Sequence, residues 1–174
     1  MHGCRGLFRL LLVAATVVPV VALTPSAASA AGGAAGSSFS CVERSGGSVS
    51  GAPSVVRDVR ASTNHRFDRF VAVLRGPLQQ FDVRPQSSAS FVLDPSGKPV
   101  TLQGSAGLLV VLHGAQAHDS VQPSAHLTPE FPVLREAMQL GDFEGVVSWG
   151  LGLSSAECFR VRADSRRLVI DIEH

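Results

Sequence analysis

Two carboxylates, Asp142 and Glu144, lie two residues apart in Gly141-Asp142-Phe143-Glu144-Gly145. In an extended chain that spacing puts both on one face, and glycosidases work with two carboxylates across a cleft. At a glycine-flanked turn, the plainer reading is a solvated edge. Trp149, the sole tryptophan, is the residue type best suited to cover a sugar ring, although one tryptophan in an all-β chain more often fills a core. His65, Asp68 and Arg69 form a compact ionisable cluster in His65-Arg66-Phe67-Asp68-Arg69. Its plainer reading is a surface ion-pair group contributing under ~1 kcal/mol. Trp149, Asp142, Glu144, His65, Asp68 and Arg69 are the ligand-binding candidates.

Other chemistries are weaker. His113, His118 and His126, with Asp119, carry donors that zinc accepts, but their spacing matches no compact ligand motif, so no metal site is expected. Gly145-Val146-Val147-Ser148-Trp149-Gly150 looks like a segment of trypsin-like proteases. The chain nevertheless has no GDSGGP nucleophile segment, no AAHC-like histidine segment and no G-x-S-x-G elbow. No catalytic residue and no cofactor is assigned, and the chain reads as a non-enzyme.

The elements that must carry these residues begin with an apolar excess. The chain has 174 residues, 45% hydrophobic and 17% charged, and its mean hydropathy is +0.23. Much of the excess lies near the start, where Arg5 and Arg9 precede the run Leu10 to Leu23 and Ala28-Ser29-Ala30 follows it. That order describes a secretory signal peptide over 1–30, cleaved after Ala30, and the run is short for a membrane span; a retained anchor is the alternative. Beyond residue 30 there are 13 basic and 14 acidic side chains. So balanced a charge argues against nucleic acid as partner. Cys4 leaves with the signal, and an oxidising compartment favours pairing Cys41 with Cys158, two separate thiols being the alternative.

Residues 31–53 hold 17 Ala, Gly, Ser or Pro in 23 positions, which predicts a flexible leader before a folded domain over 54–174. Within that domain strand patterns dominate. Phe70, Ala72 and Leu74 share a face of 67–74, Leu108 to Leu112 reads as a central strand, and Asp94 to Lys98 reads as a hairpin turn. The 117–132 stretch reads as a loop, and 133–140 as a strand with Leu134, Met138 and Leu140 on one side. Near the end, Leu168, Ile170 and Ile172 point inward, with Asp171 and Glu173 outward. About eight to nine short strands and almost no helix predict an all-β fold, a small antiparallel β-sandwich.

The segments NHRFDRFVAVLRGP (64–77), FDVRP (81–85), GDFEGVVSWGLGL (141–153) and FRVRADSRRLVIDIEH (159–174) resemble, in that order, the AMIN-like domain of exported actinobacterial proteins. The related AMIN domain is a small β-sandwich attached to N-acetylmuramoyl-L-alanine amidases and secretin-type proteins, where it binds the envelope. The resemblance implies a secreted, cell-wall-associated module, non-catalytic, binding peptidoglycan or a cell-wall polysaccharide. A protein–protein interaction module of an envelope complex is the alternative, and a glycan hydrolase using Asp142 and Glu144 the third reading. One departure is Ser165-Arg166, where such domains carry Pro-Pro before the closing strand. The family offers no catalytic residues to transfer.

Overall fold

The computed structural model describes residues 38–117 and 126–174. The expected signal peptide, residues 31–37 of the leader, and His118 and Asp119 lie outside the described residues. Among the described residues no helix is long and apolar enough to cross a membrane.

Period-2 alternation of apolar side chains builds almost everything that is described. The first strands are β1 (Arg44–Gly47), β2 (Ser54–Thr63), β3 (Phe67–Arg75) and β4 (Gln80–Gln86). A hairpin follows, β5 (Ser90–Leu93) and β6 (Lys98–Thr101), then β7 (Ala106–His113), β8 (Ala115–Gln116) and β9 (His126–Leu127). The chain closes with β10 (Leu134–Phe143), β11 (Val146–Leu153), β12 (Phe159–Asp164) and β13 (Arg167–Glu173). The all-β antiparallel class is as expected, but the strands number thirteen among the described residues rather than eight or nine, because several two- to four-residue strands carry no periodicity of their own.

Two sheets form the sandwich. One runs β1-β4-β7-β11-β10-β9, the other β12-β13-β3-β2-β8, and β5-β6 makes a separate two-stranded ribbon. Among the described residues all strand pairings are antiparallel except the short β2–β8 contact. The core lies between the two sheets, with Phe70, Ala72 and Leu74 of β3 and Leu168, Ile170 and Ile172 of β13 meeting Leu108, Val110 and Leu112 of β7 and Trp149 and Leu151 of β11 in one buried cluster. A second cluster of Ala89, Phe91, Leu102 and Leu140 sits under the β5-β6 ribbon, with Met138 and Leu109 packed against it.

Strand β10 departs from simple alternation. Register shifts between Leu134 and Glu136 and between Gln139 and Gly141 mark β-bulges, each of which turns the following residues to the opposite face. Leu134 and Ala137 therefore enter the main core, while Met138 and Leu140 serve the second cluster, so the three residues expected on one side are divided. The β10–β11 connection is a two-residue turn in which Glu144 (φ 48°) and Gly145 (φ 77°) are both left-handed, the arrangement that matches strand twist in a tight hairpin.

Part of the 31–53 segment is regular. Residues 44–47 pair with β4, and Gly47, at φ 80°, lies so close to the Gln79 carbonyl that no side chain would fit. Gln79 in turn accepts from the Ser50 N–H at 2.6 Å and donates to the Ala52 and Gly114 carbonyls. Small residues are thus used here for close approach, a role that composition alone does not distinguish from flexibility. Cys41 and Cys158 are disulfide-bonded, closing a separation of 117 residues. Beside this bond, Ser40 and Phe159 exchange both backbone hydrogen bonds, at 2.9 and 3.0 Å.

Candidate functional site

The outer face of the β12-β13-β3-β2 layer is a grid of outward-pointing residues. Cross-strand register sets one row as Arg160–Asp171–Arg69–Ser62, the next as Arg162–Val169–Val71–Arg60, and a third as Asp164–Arg167–Val73–Asp58. Asp171 sits at the centre of the first row and is fully buried beneath its neighbours. Arg69 Nε donates to Asp171 Oδ1 at 2.6 Å and its terminal nitrogen to Oδ2 at 3.2 Å, a two-pronged clasp. Arg160 and Arg162 each donate to Oδ2, at 2.6 and 3.0 Å.

One carboxylate therefore organises three guanidinium groups. Burial pushes the Asp171 carboxyl up, but hydrogen bonds from Arg69 and Arg160, with the charges of Arg69 and Arg162, hold it below its ordinary value of 3.8. It remains ionised at neutral pH, and the cluster carries two positive charges in excess. Two phenylalanines frame it. The Arg160 guanidinium lies 4.7 Å from the Phe39 ring centre, and that of Arg69 lies 4.9 Å from Phe67. Such stacking adds to the ion pairs in fixing where the arginines point.

Next to this cluster is an open trough of about 500 Å³, floored by Val71 and Val169 and walled by Arg60, Arg69, Arg162 and Arg167. Each wall arginine is steadied by an aspartate: Arg60 by Asp58 at 3.2 Å, Arg69 and Arg162 by Asp171, and Arg167 by Asp164 at 2.8 Å. Asp164 is itself held below its ordinary value, first by the Arg166 N–H and then by Arg167. Arg60, Arg162 and Arg167 keep about half or more of their side-chain surface in solvent. A guanidinium has five N–H donors, so these groups hold an aspartate and still present donors outward.

Residues 54–174, the whole of the span read as the folded domain, match the AMIN-like domain family. The chain belongs to the AMIN-like domain family. No curated protein and no solved structure matches it. Membership points to a non-catalytic module associated with the cell envelope.

Within this AMIN-like domain the residues singled out from sequence are dispersed. Trp149 is 1% exposed and packs at 6.4 Å, tilted, against Phe70 in the core. No face of the ring is open to a sugar, so hydrophobic burial is its role. Asp68 is also buried, because β3 alternation turns it inward. Its Oδ2 accepts the Val133 and Leu134 N–H groups at 2.7 and 2.8 Å, and its Oδ1 accepts from Thr63 Oγ1. It braces the entry to β10 and is not exposed for a ligand. His65 is exposed in the β2–β3 turn. Asp142 accepts the Ala117 N–H at 3.0 Å, and Glu144 lies in the tight turn beyond it, outside the strand alternation that would have put both on one face.

Arg69 alone of the six reaches the arginine grid. The two described histidines among the candidate zinc donors stand on β7 and β9, three strands apart in the sheet, and His113 aligns with Val146 of β11 whereas His126 aligns through Met138 with Gly150, four residues further along. His113 pairs with Asp82 at 2.8 Å and His126 with Glu136 at 2.6 Å.

The AMIN-like domain's arginine grid escaped the sequence reading because its members come from four strands, with Arg69 and Asp171 separated by 102 residues. A local signal existed. In Phe159-Arg160-Val161-Arg162 the arginines alternate with apolar residues, which places both on one solvent face.

Proposed function

We propose that the chain is a secreted, non-catalytic module that associates with the cell wall by binding peptidoglycan or an attached polysaccharide. The observation that carries this reading is the AMIN-like match across 54–174. The arrangement of the domain supports it: the outer face of the second sheet is rich in charged side chains that no described strand covers, Asp142 holds the Ala117 N–H and Glu144 lies in a tight turn. The signal-like segment at 1–30 and the Cys41–Cys158 bond fit export to an oxidising compartment.

Co-sedimentation of the full chain with purified cell-wall sacculi tests the reading. Enrichment in the pellet is expected, abolished by prior digestion of the glycan. Binding that survives digestion and requires an envelope protein would instead favour the interaction-module reading. Turnover of muropeptides, lost on joint replacement of Asp142 and Glu144, would establish a hydrolase.

A further inference from the structure

We propose that the trough on the outer face of the β12-β13-β3-β2 layer is an oxyanion site, taking the phosphodiester or carboxylate groups of an anionic cell-wall polymer. The proposal rests on the envelope reading for the source of that polymer; the chemistry of the site stands on geometry.

Four arginines wall the trough, and arginine's planar fork matches the paired oxygens of a phosphate or carboxylate. Their aspartate partners limit the search of these long side chains, so less entropy is lost when a ligand is gripped. The floor between them is apolar. Arg162, Val169, Val71 and Arg60 stand in line across four strands, so two cationic ends flank two valines over roughly 14 Å. A sugar could lay its C–H face on those valines while charged substituents reach the arginines at either end.

The charge is local. Arg57 and Arg166 line an adjoining depression that also includes Arg60 and Arg167. Counting both depressions and Arg160, seven arginines meet Asp58, Asp164, Asp171 and the exposed Glu173 at the end of β13. Beyond residue 30, by contrast, the chain has one more acidic than basic side chain. The face is therefore a positive region on a slightly negative chain, which is the condition for steering a polyanion to one surface.

The test compares three polymers, a synthetic poly(glycerol phosphate), a polygalacturonate and neutral dextran, by titration against the full chain. The two polyanions separate phosphodiester from carboxylate as the preferred group. Binding of at least one polyanion is expected, weakening as salt rises, with dextran silent. The double variant Arg60→Gln/Arg162→Gln should lose roughly tenfold or more in affinity. In this variant Asp171 keeps Arg69 and Arg160 as partners, so its buried charge stays compensated and the chain should fold. An Arg84→Gln/Lys98→Gln variant removes the same charge away from this sheet and should bind as the native chain does.

Equal loss in both variants, no loss in either, or equal binding of dextran overturns the site. Sacculus sedimentation on the same proteins separates the two readings. Pelleting unaffected in the trough variant overturns the trough and keeps the envelope reading. Polyanion binding through the trough without pelleting overturns the envelope reading and keeps the trough.

Discussion

The two outer faces of the sandwich are built for opposite ends. On the β7-β11-β10 side the strands present glycine: a side chain at Gly150 or Gly107 would meet the Phe91 ring, one at Gly152 the Gln103 carbonyl, and one at Gly141 the Asp94 side chain. The β5-β6 ribbon lies flat on that surface and seals the second apolar cluster. On the β12-β13-β3-β2 side the outward positions are mostly arginine, aspartate and valine, and no described strand covers them. Glycine removes side chains so that the protein can cover itself. Arginine projects donors that the protein only partly satisfies. One architecture thus assigns self-packing to one surface and leaves the other uncovered by any described strand.

The largest effect should come from Asp171→Asn, which keeps the shape but removes the charge beneath Arg69, Arg160 and Arg162. Breaking a buried ion pair from one side costs about 3–5 kcal/mol, and the lower end, about 3 kcal/mol, is expected because the arginines reach water. Urea denaturation would show it, and a loss under about 1 kcal/mol would mean that the open face does not depend on this carboxylate.

Gly150→Ala should cost about 1–2 kcal/mol by pressing the Phe91 ring off the sheet, since the added carbon would lie 2.9–3.1 Å from it. Adding Phe91→Leu should return part of that loss, and polyanion binding should not change, because the two faces are separate. If Gly150→Ala alone abolished binding, the division of labour between the faces would be broken.

The smallest effect is the acid dependence. Asp171 is held below 3.8 in the folded chain, so its contribution is complete above the unfolded value and fades as pH falls through the folded one. Stability measured from pH 5 downward should fall more steeply in the native chain than in Asp171→Asn.

Strands whose two faces differ were legible from sequence. Phe70, Ala72 and Leu74 and the closing Leu168, Ile170 and Ile172 lie where alternation places them, and the unbroken apolar run 108–112 forms an interior strand of its sheet. Strand β10 was legible as a strand but not in its facing, because a bulge inserts one residue without changing composition. The site was hardly legible. Asp171 was rightly placed on the outer face, yet its burial depends on arginines brought from β3 and β12, and such pairings are set by the fold rather than by neighbours in the chain. Trp149 misled for a related reason: residue type suggests an affinity, but only burial decides whether it can be expressed.

The Ser40–Phe159 bridge bears on the open edge of the second sheet. An edge strand offers every second backbone N–H and C=O to any passing strand. On β12 the groups of Phe159 are already taken by Ser40, and the neighbouring Cys41 is bonded to Cys158. By the same alternation, Val161 and Ala163 are the other positions of β12 whose backbone faces the open edge, a short stretch for a further strand to pair with. Such a latch caps one end of that edge with the chain's own backbone, directly beside the arginines of β12.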